Sequence, residues 1–219
     1  MKKVLMGMAV ASSLATMVVV PNQAQAAVEA NIGATSNYLW RGVSQSSDSA
    51  SVSGGIDYSN DSGFYAGTWV GSLGDGNGAE TDFYLGYGGE AGDFGYDVGY
   101  ILYHYADLDD GDFGEVYLNG SYADFSFGVA YTVNSQVDDG SLFDTGDIYY
   151  SVGYGFEVAK EYSVGLTYGY YDFDAGSDSD YGHFQLDVSK GDFTFTVSRA
   201  DEDSGDDDTK FVVSWGTTF

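Results

Sequence analysis

After the first 27 residues the apolar side chains recur at every second position, and that period constrains the fold more than any other feature of the chain. Phe125, Phe127, Val129, Tyr131 and Val133 alternate with Ser126, Gly128, Ala130, Thr132 and Asn134. Tyr162, Val164, Leu166, Tyr168 and Tyr170 alternate with Ser163, Gly165, Thr167, Gly169 and Tyr171. Tyr150–Phe156 and Phe94–Leu102 repeat the pattern. Successive residues of a strand point to opposite sides, so these segments are strands with two unlike faces, one aromatic and branched, the other small and polar. No segment beyond residue 27 carries the 3.6-residue period of an amphipathic helix.

The breaks between alternating segments alternate as well. Short ones fall at 59–63, 90–93, 123–124, 157–161 and 190–192, and longer polar ones at 44–48, 74–78, 106–111, 135–145, 172–180 and 201–208. Twelve strands result, over 28–43, 49–59, 63–73, 79–90, 93–105, 112–122, 125–134, 146–156, 161–171, 181–189, 193–200 and 209–219. An even number of strands joined by alternating short turns and long loops is the pattern of a bacterial outer-membrane barrel, and most of the strands have the length of about 9–11 residues that a tilted membrane strand needs. The predicted fold is all-β: a 12-stranded antiparallel up-and-down transmembrane β-barrel over 27–219. In 63–73 the facing is ambiguous, because Tyr65 and Trp69 share one side while Phe64, Ala66 and Val70 share the other.

A soluble sandwich or lipocalin-like barrel would turn the apolar face inward and present a charged face to water. Here the second face is mainly Gly, Ser and Thr, a weak solubilising coat, and twelve closed strands enclose more space than such side chains fill. With the aromatic face in lipid and the small face around water, every backbone donor is paired and no sheet edge is left open. The same partition would send the 32 Gly towards the water-filled side and the 20 Tyr towards lipid.

The segment 1–26 reads separately. Lys2 and Lys3 precede an apolar run from Val4 to Val20, followed by Pro21 and Ala24-Gln25-Ala26. This is the three-part design of a cleavable signal peptide with an A-x-A site before Ala27. Its removal takes the formal charge from −27 to −29. The 34 acids against 7 bases exclude a nucleic-acid-binding surface. The absence of Cys excludes disulfide scaffolds, zinc ribbons and thiol nucleophiles. An aromatic content of 17% excludes a disordered chain.

At the C-terminus Phe211, Val213, Trp215, Thr217 and Phe219 share one face, and the sequence ends on Phe219. A final strand closing on Phe is the kind of signature the outer-membrane assembly machinery recognises. At the other end, Ser36-Asn37-Tyr38-Leu39-Trp40-Arg41-Gly42-Val43-Ser44-Gln45 resembles the S-x-Y-x-x-R-G-x-S-Q opening of the TorF-like porins of Gram-negative bacteria. Gly54–Tyr58, Ser62–Trp69, Glu80–Tyr87 and Gly92–Gly99 continue the resemblance, which is clear over about 33–105. It implies an outer-membrane, channel-like protein, and supplies no catalytic residue.

The face opposite the aromatic stripes carries Arg41, Asp57, Glu80, Asp82, Asp97, Glu115, Asp147, Gln185, Asp187 and Lys210, the expected pore lining. Seven acids against two bases predict a cation preference. Arg41 and Lys210 fall on the first and last strands and would meet on closure as a basic spot facing an acidic wall. Tyr84, Tyr103, Tyr105, Tyr149 and Tyr171 could plug so narrow a lumen. The segments 106–112, 134–147, 172–180 and 201–208 hold 18 of the 34 acids. Three of them contain D-x-D, giving Asp107, Asp109, Asp172, Asp174, Asp201 and Asp203 as weak Ca²⁺ candidates, although Asx turns explain the same motif without an ion. The two histidines, His104 and His183, lie in no nucleophile motif, so no enzyme is expected.

The sequence therefore predicts an outer-membrane porin-like channel of a Gram-negative bacterium. It would pass small hydrophilic solutes or cations by diffusion, without a cofactor. Its partners would be outer-membrane lipid and lipopolysaccharide, the barrel-assembly machinery during biogenesis, and the solutes themselves. The competing reading is a non-conducting structural or adhesive barrel with acidic loops.

Overall fold

The computed structural model describes residues 26–138, 140–159, 161–176 and 179–219. The expected signal segment lies, but for Ala26, outside the described residues. The polypeptide forms a closed antiparallel barrel of twelve strands. These are β1 (Ala27–Thr35), β4 (Ser51–Ser59), β5 (Phe64–Ser72), β6 (Ala79–Ala91), β7 (Phe94–Tyr105), β8 (Phe113–Tyr122), β9 (Phe125–Ser135), β10 (Ile148–Ala159), β11 (Tyr162–Asp172), β12 (Tyr181–Lys190), β13 (Phe193–Ala200) and β14 (Lys210–Thr218). Two further two-residue strands, β2 (Leu39–Trp40) and β3 (Val43–Ser44), form a hairpin between β1 and β4.

Each barrel strand pairs with its neighbours in the chain, and the register Asn31↔Thr218 to Thr35↔Ser214 joins β14 to β1. Reciprocal Ala30–Phe219 backbone bonds of 2.9 Å extend that seam. Closure leaves no strand edge unpaired, which is the condition for a sheet within hydrocarbon.

The alternation sets the two surfaces. Phe83, Leu85 and Tyr87 of β6, Phe125, Phe127 and Val129 of β9, Val152 and Tyr154 of β10, Phe193 and Phe195 of β13, and Phe211 and Val213 of β14 are all exposed on the outside. Such a continuous apolar exterior exceeds the patches that water-soluble proteins present and suits lipid. In β5 the ambiguous facing resolves. Phe64 and Val70 point out, while Tyr65 is buried in the interior and Trp69 packs on Tyr38, with ring centroids 5.4 Å apart.

Two sequence expectations are corrected here. The first concerns strand length. The first strand ends at Thr35 rather than at 43, and the chain from Ser36 to Ala50 leaves the wall. The second concerns the tyrosines, many of which turn inward and lie across the glycine of an adjacent strand. A Cβ on Gly67 would come within 2.5 Å of the Tyr84 ring, and one on Gly169 within 2.2 Å of the Tyr149 hydroxyl. Glycine is used at these positions because only a missing side chain leaves room for a ring lying flat along the wall. Inward Gly and inward Tyr are thus two parts of one packing unit.

Candidate functional site in the barrel lumen

Six connections protrude at one end of the barrel and short turns close the other, so the lumen has a loop side and a turn side. The hairpin β2–β3 folds into the loop side. Arg41 and Gly42 form its tip, with φ of 49° and 87°. A Cβ on Gly42 would lie 2.5 Å from His183 Cβ, so both the backbone conformation and the space demand glycine.

The base of the hairpin is stitched by short polar bonds. The Asn37 amide donates to Asp48 at 2.7 Å, Ser44 Oγ donates to Asn37 Oδ1 at 2.6 Å, and the Tyr38 N–H donates to Ser46 Oγ at 2.8 Å. Asn37, Tyr38 and Ser44 belong to the motif that carries the TorF-like resemblance, and Ser46 and Asp48 follow it. Its serines and asparagine hold the hairpin, and its tyrosine, tryptophan and arginine fill the barrel.

Arg41 is 5% exposed. Its Nη1 and Nη2 donate to the two oxygens of Glu115 on β8 at 2.8 and 2.6 Å, a bidentate pair. The Trp40, Tyr149 and Tyr171 rings surround its Cζ at 4.3, 4.2 and 4.9 Å. Burial works against the charged guanidinium, and the Glu115 carboxylate and the three ring faces offset that cost. Glu115 is aimed inward beside a bulge, where the register passes from Gly114↔Asn134 to Glu115↔Thr132. Tyr103 on β7 donates to Glu115 Oε2 at 3.1 Å.

Around this pair, Trp40 meets Tyr103, Phe113, Phe143 and Tyr171 at centroid distances of 5.6–6.1 Å. Tyr171 stacks on Phe173 at 4.1 Å. The loop side of the lumen is thereby a packed aromatic core around one ion pair. Three carboxylates share this level with one guanidinium. Glu80 accepts from Tyr38 at 2.6 Å and from Tyr105 at 2.8 Å. Asp82, also 5% exposed, has an Oδ1 without a hydrogen-bond partner.

The turn side differs. There the wall of β9, β10 and β11 is lined by Ser126, Gly128, Ser151, Gly153, Ser163, Gly165 and Thr167. Elsewhere around the barrel, three inward carboxylates are held by neutral donors. Asp57 accepts from Asn31 at 3.0 Å and from Tyr84. Asp97 accepts from Tyr65 at 2.6 Å, and Tyr65 meets Tyr117 at 2.5 Å. Asp187 accepts from Gln185 at 2.8 Å and Thr196 at 2.5 Å.

The residues expected to line a pore therefore divide. Asp57, Asp97, Gln185 and Asp187 face the turn-side lumen, while Glu80, Asp82 and Glu115 surround the plug. Asp147 precedes β10 and accepts the Asp174 N–H at 2.8 Å; burial pushes its carboxyl up, with that bond acting in the opposite direction. Arg41 stands on the inserted hairpin rather than on the wall. Lys210 is spent at the rim, donating to Asp48 at 2.8 Å and pairing with Asp206 at 2.6 Å. The expected basic spot is thus two separate ion pairs. Trp40, Tyr38 and Gly42 are absent from the sequence-derived pore lining. The signal for the hairpin was length: a first strand over 28–43 is longer than a bilayer crossing needs.

The acidic loops fold on their own backbone. Asp201 accepts the Gly182 N–H at 2.7 Å, and Asp180 accepts that of Phe173 at 2.8 Å. Asp203 lies in a 3₁₀ turn, Glu202–Ser204, closed by Gly205 at φ 72°. Among the described residues, no group of three or more acids or histidines, Asp107, Asp109 and Asp172 included, is placed to hold a metal ion. His104 pairs with Asp112 at 2.7 Å, and His183 bonds Tyr149 at 2.8 Å. Of the C-terminal set, Phe211, Val213 and Phe219 are exposed on the outside, and Trp215 borders an external groove with Ile32, Val52 and Val70.

Among solved structures, the fold is similar to that of the KdgM porin, with 12% identity, a TM-score of 0.57, and coverage of 87% of this chain and 98% of that one. The KdgM porin in complex with disordered oligogalacturonate gives 11%, 0.52, 88% and 97%. The NanC porin gives 13%, 0.49, 88% and 98%. The likeness to the KdgM porin is one of fold, that of an outer-membrane porin. No protein of curated function matches the sequence. Residues 21–218 match the model of a family described as bacterial protein of unknown function (Gcw_chp), and the chain belongs to that family.

Proposed function

We propose that the protein is an outer-membrane channel of a Gram-negative bacterium, passing small hydrophilic solutes or cations by diffusion with a preference for cations. The observation that carries this reading is a closed barrel that is apolar outside, with acids in excess over bases at the level the hairpin fills. Glu80, Asp82 and Glu115 face the single guanidinium of Arg41 there. Charges at a constriction act at short range and set ion preference. The acidic loops at the mouth add a longer-range field that concentrates cations at low salt. The TorF-like resemblance supports the same reading, as does the porin fold.

The hairpin makes this a channel with a low-conductance resting state. Protein refolded into planar bilayers is expected to give small conductance steps, with a reversal potential of cation-selective sign in a KCl gradient. An anion-selective reversal potential overturns the charge argument. A second reading, a non-conducting structural barrel, is favoured by one observation, the aromatic packing of the loop side. Silence at all voltages, from a barrel whose heat-modifiable electrophoretic mobility shows it folded, decides for that reading.

A further inference from the structure

The guanidinium of Arg41 occupies a receptor whose walls, the Trp40 ring apart, belong to the barrel and not to the hairpin. Glu115 on β8 offers both carboxylate oxygens, at 2.8 and 2.6 Å. Tyr149 on β10 and Tyr171 on β11 offer ring faces at 4.2 and 4.9 Å. Tyr103 on β7 braces the carboxylate at 3.1 Å. These four side chains project from strands held in register by ladders that do not involve the hairpin. From the hairpin itself come only Arg41 and the Trp40 ring.

We propose that this cage is a binding site for guanidinium-bearing solutes, with Arg41 as its tethered occupant, so that solute and hairpin compete for Glu115. The chemistry selects the ligand class. A planar fork satisfies both carboxylate oxygens at once, and a weakly hydrated, delocalised cation stacks on the rings. A compact ammonium ion does neither as well.

Competition is feasible because the hairpin is short, with two residue pairs in register. Its base is stitched by serine, asparagine and aspartate side chains near the rim. A tether of this kind holds its ligand at an effective concentration in about the millimolar range, which a free solute can match. When the solute takes the cage, the hairpin is released from its inner anchor. That consequence for conduction rests on the channel reading above, whereas the binding does not.

The test is isothermal titration calorimetry of methylguanidinium into the protein refolded in detergent, with heat-modifiable mobility as the check of folding. Arg41→Ala is expected to bind methylguanidinium about tenfold more tightly than the unaltered protein, because the tethered competitor is gone. The double variant Arg41→Ala, Glu115→Gln is expected to lose that gain. Methylammonium is expected to bind Arg41→Ala at least about tenfold more weakly than methylguanidinium. Equal affinity in the single and double variants, or equal binding of the two cations, overturns the proposal, as does a folded Arg41→Ala barrel that binds no methylguanidinium.

Should Arg41→Ala not refold, Arg41→Lys replaces it, since an ammonium leaves one Glu115 oxygen unmatched. It is expected to admit methylguanidinium about threefold more readily than the unaltered protein, and no difference counts against the site. Calorimetry needs no conduction, so a barrel that is silent in bilayers yet binds methylguanidinium separates the failure of the channel reading from the failure of this one.

Discussion

The two sides of the lumen are built by the same strands and the same alternation, yet they are stabilised differently. On the loop side, inward positions carry Tyr103, Phe113, Glu115 and Tyr171, and a hairpin adds Trp40 and Arg41 to complete a packed core. On the turn side, the inward positions of β9–β11 carry mainly Ser, Gly and Thr, and the acids with neutral donors stand on other strands. The first region needs its parts, because removing either member of the buried Arg41–Glu115 pair leaves the other charge unmatched. The second tolerates change, because its small groups leave room for water to serve as an alternative partner. A period-two sequence fixes which residues point inward, but the size of those residues decides whether the interior is a core or a passage.

Removal of the ion pair is the severest test of this contrast. Arg41→Ala strands Glu115, which is 1% exposed, without its counter-charge. A loss of about 3–5 kcal/mol is expected from urea unfolding of the refolded barrel. Arg41→Met combined with Glu115→Leu removes both charges and is expected to recover most of that loss. A deficit below about 1 kcal/mol for Arg41→Ala would mean that the loop side is no more dependent on its partners than the turn side is.

A pair of glycine substitutions probes the same difference more gently. Gly42→Ala meets both a φ of 87° and His183 Cβ at 2.5 Å, and is expected to cost about 1–3 kcal/mol. Gly128→Ala on the turn side approaches the Ser151 Oγ at 2.6 Å and the Asn119 Oδ1 at 2.9 Å, both of them ends of side chains that can rotate. Its cost is expected to stay within about 0.5 kcal/mol in the same urea titration. Equal costs at the two glycines would erase the distinction between a packed and a yielding interior.

The wall was legible in the sequence because membrane strands obey a local rule. Alternation, turn spacing and the outward set at Phe125, Phe127 and Val129 follow from residue order alone. The plug was not, because it is a tertiary choice. Arg41 has the parity of the inward face of β1, Tyr38 and Trp40 have that of its lipid face, and nothing local says that the wall stops at Thr35. What ends it is the gain from packing Trp40 among Tyr103, Phe113 and Tyr171, residues 63 to 131 positions further along the chain. Likewise, each of the inward acids could be read as pore lining, but only the folded chain shows that Glu115 is paired, that Glu80 is held by two tyrosines, and that Asp82 is left with an unpartnered oxygen.

Selectivity gives the finest division between buried and surface charge. Asp82→Asn removes a carboxylate at the constriction, where salt penetrates poorly. The reversal potential in a KCl gradient is expected to move towards zero both at 0.01 M and at 1 M mean salt. Glu202→Gln with Asp203→Asn removes two exposed carboxylates from the 3₁₀ turn at the mouth, with an expected stability change within about 0.5 kcal/mol. Their field is screened over about 30 Å at 0.01 M but about 3 Å at 1 M. The expected shift in reversal potential is therefore small at low salt and absent at high salt. If the mouth substitutions shift the reversal potential at 1 M as much as Asp82→Asn does, selectivity resides in the loops and the constriction is not where ions are sorted.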